Sequence, residues 1–308
     1  MSFTIFLRAT VRASLLLAAA TLPLRAQAAD DGFLMPKRAL TVGAFYMHES
    51  WNEYWEGTLK RTNENLGTVT TQSVTLAGMY GVTERLSVVA SVPYLWTHAS
   101  QGPLQGMRGV QDASFAAKLR LLSTPLARHG TLSALLVGAA DVPASDYSPD
   151  FLPLSIGVAS RRFTGRFTVN YQSENAWFVN ASAAHTWRNK VTLDRNSYFT
   201  NGQFYLSNEV AMPRVFEGAL TGGFRTGHLL VPISISQHRT LGGGDIRRQD
   251  MPFASNRMNF TKVDAAVAYA PKMLRLPAMR LGVSRTITGR NVGQATTVTF
   301  GSLYTVKL

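Results

Sequence analysis

Apolar and polar side chains alternate at successive positions along much of this chain. Residues 110–122, VQDASFAAKLRLL, show the pattern plainly. Apolar side chains such as Phe115 occupy odd positions, whereas Asp112, Lys118 and Arg120 occupy even ones. Successive side chains of a β-strand point to opposite faces of its sheet. The pattern therefore predicts a strand with one apolar and one charged face.

Segments of the same kind recur to the last residue. The alternation continues across residues 173–175, which predicts one long strand there. It reverses near Thr226 and Gly227, which predicts a bulge or a turn. These segments give about twelve strands, or fourteen if both sites are hairpins. The segments cover 39–48, 70–80, 85–96, 110–122, 131–141, 152–160, 167–187, 214–240, 256–270, 278–288 and 294–308.

The connections between these segments alternate between long and short. Long loops on one side and short turns on the other are typical of outer-membrane barrels, whose tilted strands cross the bilayer in about ten residues. The predicted fold is an all-β, transmembrane, antiparallel up-and-down β-barrel. The long connections are 51–66, 98–109, 143–151, 188–199 and 241–255, and the short ones are 81–84, 123–129, 163–165 and 271–277.

Composition favours this fold over a secreted β-sandwich of two domains. Charged residues make up 16% of the chain, against roughly 25% in soluble domains. A sandwich explains the alternation but requires neither this low charge nor the one-sided loop lengths. The chain has no cysteine, which excludes disulfides and thiolate metal sites. No metal or other cofactor is predicted.

The first residues predict export. Arg8 and Arg12 precede a short apolar run, and residues 26–28 form an A-x-A cleavage site. We therefore expect a signal peptide at residues 1–28 and a barrel domain at residues 29–308. Cleavage after Ala28 leaves 28 basic and 18 acidic residues, a net charge of +10. The basic residues are dispersed, which suits a pore lining or lipid head groups better than nucleic acid.

Aromatic residues near the predicted strand ends resemble the interfacial girdles of membrane barrels. The last strand has Val298, Phe300 and Tyr304 in one parity and ends at Leu308, which is similar to the signal read by the barrel-assembly machinery. Most such signals end in Phe or Trp. The girdle candidates are Tyr46, Trp51, Tyr54, Trp55, Tyr80, Tyr94, Trp96, Trp187 and Tyr304.

Two stretches resemble a known family. Residues 79–96 contain a Y-G-V-T-E turn followed by a strand that reaches Pro93, and residues 109–122 open with Gly109 and Asp112. Both are similar to outer-membrane proteins grouped with the MetA-pathway phenol-degradation protein, although Gln111 replaces a glycine of that pattern. The resemblance covers about forty residues. It implies passage of small hydrophobic or aromatic compounds across the bacterial outer membrane.

Strand parity also predicts which charged side chains line a pore. Such charges can set ion preference, as charged rings do in channels, or can pair across strands and fill a narrow lumen. A second group, Trp51, Tyr54 and Trp55, could form an aromatic mouth that captures a ligand, or could end a girdle. The pore-lining candidates are Asp112, Lys118, Arg120, Glu217, Arg225, Lys262, Asp264, Arg280 and Lys307.

Three functions remain open at this point. A channel or transporter for small solutes, without enzyme activity, is the main hypothesis. A non-conducting structural, adhesin or lipopolysaccharide-binding barrel is the second. A hydrolase using rim histidines such as His48 and His98 is the third, although the chain has no G-x-S-x-G or H-E-x-x-H motif. Basic residues predicted to hold lipopolysaccharide phosphates are Arg108, Arg188, Lys190, Arg247 and Arg248.

Overall fold

The computed structural model describes residues 31–126, 129–247, 252–271 and 276–308. Twelve long antiparallel strands form one sheet, and its first and last strands pair with each other to close a barrel. Closure leaves no free sheet edge. The strands are β1 (Ala39–Trp51), β2 (Val69–Gly81), β3 (Leu86–Ala99), β4 (Asp112–Leu126), β5 (Gly130–Pro143), β6 (Arg162–Gln172), β7 (Trp177–Arg188), β8 (Arg214–Arg225), β9 (Leu229–Leu241), β10 (Asn259–Tyr269), β11 (Ala278–Arg290) and β12 (Thr296–Lys307).

Long connections lie at one end of the barrel, and short turns lie at the other end with the start of β1 and the end of β12. The long connections contain short elements of their own, including the 3-10 helix Pro149–Phe151. Within the described ranges, no helix is long and apolar enough to span a membrane. The short strands are Glu53–Glu56, Leu59–Thr62, Arg108–Val110, Val191–Thr192, Tyr198–Thr200, Gln203–Tyr205 and Glu209–Val210.

The two faces of the barrel differ as the alternation predicts. Outward side chains such as Leu76 and Phe115 are more than half exposed. Inward neighbours such as Ser73, Thr168 and Asn180 are polar and buried. An exposed apolar belt on a closed barrel fits lipid outside and polar groups inside, because each backbone group pairs within the sheet. The predicted fold is confirmed, and it places the chain in the bacterial outer membrane.

Residues 167–187 do not form the single long strand that their parity predicts. Strands β6 and β7 form a hairpin joined by residues 173–176, in which the N–H of Ser173 donates to the carbonyl of Trp177 (2.7 Å). The connection contains four residues, an even number, so the alternation continues unbroken through a reversal of direction. Residues 163–165, predicted as a connection, belong to β6.

Residues 152–160 are not a strand either. The segment folds inside the barrel mouth, where Leu154 and Ile156 are buried. Its polar groups bond locally: the hydroxyl of Ser155 donates to the carbonyl oxygens of Ser148 (2.6 Å) and Gly157 (2.7 Å). Alternation here reflects packing within a loop. The predicted count of about twelve strands is confirmed, although residues 152–160 are not a strand and residues 167–187 form two.

The parity reversal at Thr226 is a turn rather than a bulge. The N–H of Thr226 donates to the carbonyl of Leu229 (2.8 Å), and the Thr226 hydroxyl accepts from the N–H of Leu229 (3.0 Å). This turn joins β8 to β9, which pair along their length. A threonine hydroxyl that accepts from the backbone in this way is a common device of tight turns.

Candidate functional site

The segment before β1 enters the lumen from the end with the short turns. The ring of Phe33 packs edge-on against Phe178, with 5.2 Å between ring centroids. It belongs to a buried apolar cluster with Leu230 and Leu303. The guanidinium carbon of Arg225 lies 3.9 Å from the centroid of the Phe33 ring. We call residues 31–36 the N-terminal plug.

A buried ion pair fixes the upper end of the N-terminal plug. The ammonium of Lys118, only 1% exposed, lies 2.7 Å from the carboxylate of Asp31. Lower down, the N–H of Met35 donates to the hydroxyl of Ser87 (3.0 Å). Gly32 contacts the inner wall so closely that an added Cβ would overlap Asn180. The plug therefore occupies the lower half of the lumen.

Long loops pack together over the opposite end of the barrel. Residues from 152–159, 191–212 and 253–254 form one apolar cluster. A second cluster joins Ile156 and Tyr147 to Leu95 of β3. The hydroxyl of Thr97 donates to the carbonyl of Leu154 (2.6 Å), which ties the loops to the wall. We call these loops the outer lid.

Tyr147 links the outer lid to the barrel wall. Its hydroxyl donates to the carboxylate of Asp112 and accepts from the N–H of Ala159 (3.2 Å). Burial, followed by the hydrogen bond to Asp112, raises the pKa of Tyr147 above its ordinary value of 10.0. The hydroxyl therefore stays protonated and remains a donor at neutral pH.

The lumen contains two adjoining cavities, a charged one below the lid and an apolar one that reaches the plug, and together we call them the lumen chamber. The charged cavity has a volume of about 300 Å³, and the apolar cavity a volume of about 350 Å³. They share Ala139 and Asp141. The charged cavity is also lined by Val137, Arg162, Thr164, Arg166, Thr186, Arg188, Val215, Glu217 and His238. The apolar cavity is also lined by Phe45, Ala77, Met79, Val89, Ala116 and Leu303, and by Thr41, Gly43, Thr75, Ser91, Ser114 and Phe115.

Two ion-pair groups organise the wall of the charged cavity. Arg162 lies 3.0 Å from Asp112 and 3.5 Å from Asp141. Glu217 lies 3.0 Å from Arg166 and 3.0 Å from Nδ1 of His238. These contacts cross from β6 to β4, β5 and β8, so the charges hold the wall together as well as polarising the cavity.

The structure brings four predicted pore-lining residues to the lumen chamber or the plug. Asp112 and Glu217 pair with arginines of the charged cavity, and Lys118 anchors the plug. Arg225, lower down, covers the ring of Phe33. Each of these charges has a partner inside the protein.

The other predicted pore-lining residues lie elsewhere in the barrel. Lys262 is 3.8 Å from Glu49 in the upper lumen. Asp264 and Arg280 line a separate cavity of about 120 Å³ beside the plug. Arg120 donates to the carbonyl of Glu84 (2.5 Å) near the short turns. Lys307 is exposed at the same end, opposite Ala39.

The predicted aromatic mouth packs against its own loops. Trp55 is 8% exposed, and its ring lies where a side chain on Gly289 would be. Gly293 contacts the ring of Trp51 in the same way, and the ring of Tyr54 lies 6.4 Å from that of Trp51. The contact between Trp55 and Gly289 fixes the hairpin Glu53–Thr62 to the end of β11.

The basic residues expected to contact lipopolysaccharide are dispersed. Arg108 and Lys190 are exposed, and Lys190 pairs with Glu209 (2.8 Å). Arg247 lies over the ring of Phe199 at 6.0 Å. Arg188 points into the charged cavity instead of toward the surface. Arg248 and the predicted signal peptide lie outside the described residues.

Sequence reasoning missed several residues that build the chamber. Arg166 and Arg162 share the polar parity of β6, so strand parity alone contained the signal for them. His238 follows the same parity on β9. Asp31 and Phe33 carry no such signal, because the plug has no alternation. Across the described ranges, no group of three or more potential metal ligands occurs.

Comparison with known proteins supports the fold. No family model and no curated protein matches this sequence. The structure is similar to that of an outer membrane channel from Pseudomonas putida F1, with a TM-score of 0.64 and 14% identity over 90% of this chain and 98% of that one. A monoaromatic hydrocarbon channel, a TodX mutant, matches with a TM-score of 0.45 and 10% identity over 89% and 91%. The translocator domain of the autotransporter NalP from Neisseria meningitidis matches with a TM-score of 0.45 and 8% identity over 99% and 95%.

Proposed function

We propose that this protein is an outer-membrane channel that passes small hydrophobic or aromatic compounds through its lumen. The observation that carries the proposal is the lumen chamber. Its two cavities remain open although the N-terminal plug occupies the lower lumen and the outer lid covers the upper end. A barrel with only a structural role has no need of such a space.

The apolar cavity supports the substrate class. Phe45, Met79, Val89 and Leu303 present apolar surface inside a lumen that is otherwise polar. Binding sites for small molecules are usually concave and apolar, with a few polar groups that fix orientation. The resemblance of residues 79–96 and 109–122 to the phenol-degradation family agrees with this chemistry, and we propose membership of that family.

Solute flux tests the proposal. Liposomes that contain the mature chain should release trapped phenol or toluene faster than protein-free liposomes loaded with the same solute, and they should retain a trapped trisaccharide. Planar-bilayer recording on the same preparation should give small, discrete current steps. Release that is no faster than the lipid background, from protein shown to be folded by its gel mobility before and after heating, would contradict the proposal.

A non-conducting structural barrel is the second candidate, because the plug fills the lower lumen and the lid covers the upper end. Such a barrel shows neither flux nor current, so the same experiment separates the two. The hydrolase interpretation finds little support: His48 and His98 have the outward parity of β1 and β3 and face the membrane. We therefore propose passage without catalysis.

Two further partners belong to the proposal. The assembly machinery would recognise β12, whose outward Val298 and Phe300 are exposed to lipid. Lipopolysaccharide would contact the basic residues of the outer rim, of which Arg108 is exposed. Assembly yield after truncation of β12 tests the first partner, and co-purification of lipopolysaccharide with the wild-type protein tests the second.

A further inference from the structure

One guanidinium of the charged cavity has no carboxylate partner. Arg188 is the last residue of β7 and lines the cavity beside Arg162 and Arg166. Within the part of the chain that the structure describes, no Asp or Glu oxygen lies within 4.0 Å of its guanidinium nitrogens. Its Nε is buried and has no hydrogen-bond partner.

The neighbouring charges are already committed to each other. Asp112 and Asp141 pair with Arg162, and Glu217 pairs with Arg166 and His238. The cavity and its wall contain three arginines and three carboxylates, but each carboxylate pairs with a residue other than Arg188. A buried charge without a partner is unfavourable. An anion that enters the cavity therefore finds a guanidinium ready to bind it.

The shape of the lumen chamber narrows the class of anion. The apolar cavity is lined by Phe45 and adjoins the charged one at Ala139 and at Asp141, whose carboxylate pairs with Arg162. A carboxylate suits the planar fork of a guanidinium, which can donate two parallel hydrogen bonds to it. A flat apolar body attached to that carboxylate would lie against the apolar wall.

We infer that Arg188 anchors the carboxylate of a small aromatic acid whose ring occupies the apolar cavity. The inference rests on the proposed function, in that the lumen chamber is where a passing solute is held. It refines that function, because an acid is held by its charge before it moves on, whereas a neutral aromatic compound is held by its ring alone.

Calorimetric titration of benzoate into the detergent-solubilised, full-length mature chain tests the inference. Arg188→Gln should weaken benzoate binding about tenfold or more, since it removes a charge-assisted pair of hydrogen bonds. Arg188→Lys should weaken it less. Arg239→Gln is the matched control, because Arg239 lies on β9, two strands away from β7, with its side chain exposed outward. It should bind benzoate as the wild type does.

Ligand comparisons in the wild-type protein need no substitution and so do not depend on folding of a variant. Benzyl alcohol keeps the ring and lacks the charge, whereas acetate and inorganic phosphate lack the ring. Each should bind at least tenfold more weakly than benzoate. Equal binding of acetate or phosphate overturns the aromatic part of the inference, and equal binding of benzyl alcohol overturns the role of charge.

The binding experiment can contradict the anion site, and the flux experiment can contradict the channel, independently of each other. Benzoate binding without solute flux would contradict the proposed channel and support the proposed anion site. Flux of phenol with no benzoate binding would overturn the inference and leave the channel in place. Wild-type affinity in Arg188→Gln would show that benzoate binds elsewhere, which also overturns the inference.

Discussion

At the residue scale, Lys118 shows how one buried charge positions a stretch of chain that has no regular structure. We predict that Lys118→Met releases the N-terminal plug and raises single-channel conductance severalfold. The substitution removes the partner of Asp31 in a buried pair, and breaking such a pair costs about 3–5 kcal/mol. Planar-bilayer recording measures the effect.

Lys60→Met provides the control for this substitution. Lys60 pairs with Glu53 at 2.8 Å, but both side chains are more than 40% exposed at the outer hairpin. Exposed pairs contribute about 0–1 kcal/mol, so conductance should not change. A Lys118→Met channel with wild-type conductance would show that the plug is held by its apolar contacts alone.

Strand parity predicts that the side chain of Lys118 faces the lumen, but it does not predict that Asp31 is its partner. An alternating strand gives the face on which each side chain lies, whereas depth and contacts depend on what else enters the lumen. Arg188 illustrates the same limit at a strand end. The predicted strand ends at residue 187 and leaves Arg188 in a loop, whereas the observed strand is one residue longer and places Arg188 inside the barrel.

At the scale of single elements, β2 contains two glycines with opposite surroundings. We predict that Gly81→Ala destabilises the protein by about 1–3 kcal/mol, as overpacking does. A Cβ at Gly81 would overlap the carbonyl of Pro36, a backbone atom that can shift only by moving the plug. Thermal unfolding, followed by heat-dependent gel mobility, measures the change.

Gly78→Ala in the same strand is the matched control. Gly78 faces lipid, and nothing lies within 4 Å of a Cβ built there. The substitution should leave the unfolding temperature unchanged within about a degree or raise it slightly, since alanine restricts the unfolded chain more than glycine does. Equal destabilisation by both substitutions would contradict the close contact between β2 and the plug.

Asp245 makes part of the outer surface sensitive to acid. Its carboxylate accepts from Nε (2.7 Å) and Nη2 (2.6 Å) of Arg290 and from the amide of Asn291 (2.7 Å). The hydrogen bond from Arg290 is the main cause that lowers the pKa of Asp245 from 3.8 to about 2. A lowered pKa stabilises the folded loop above the ordinary value, and this stabilisation is lost as pH falls toward 2.

We therefore predict that pepsin cleaves the chain near Asp245 faster as pH falls from about 4 to about 2, when the rate is taken relative to that of an unfolded substrate at each pH. In Asp245→Asn, cleavage should already be fast at pH 4 and should show little further dependence on pH. Asp146→Asn, which removes an exposed carboxylate from another loop, should keep the wild-type profile. A wild-type profile in Asp245→Asn would show that another group controls the loop.

Sequence alternation predicts the strands whose side chains face lipid on one side and the lumen on the other. The hairpin of β2 and β3 follows from alternation on both sides of a short turn, and it forms as expected. Residues 152–160 show why pattern alone is insufficient. Their apolar side chains pack on other loops, and this contact produces the same periodicity as a sheet face. Only the three-dimensional arrangement distinguishes the two.

At the scale of the whole molecule, the plug and the lid bound one internal space. We predict that deletion of residues 31–36 increases conductance more than Lys118→Met does, because it removes Phe33 from the lower lumen as well as the ion pair. The remaining barrel should keep its strands, since none of β1–β12 includes these residues. Bilayer recording measures the conductance, and circular dichroism checks that the strands are retained.

The two closures of the lumen are made by different contacts. The plug is held by Lys118, Phe178 and Arg225, and the lid by contacts among residues 147–159, 191–212 and 253–254. If each opens on its own about one time in a hundred, both are open together about one time in ten thousand. A cell can then carry many copies in its outer membrane with little leakage of salts or toxic solutes.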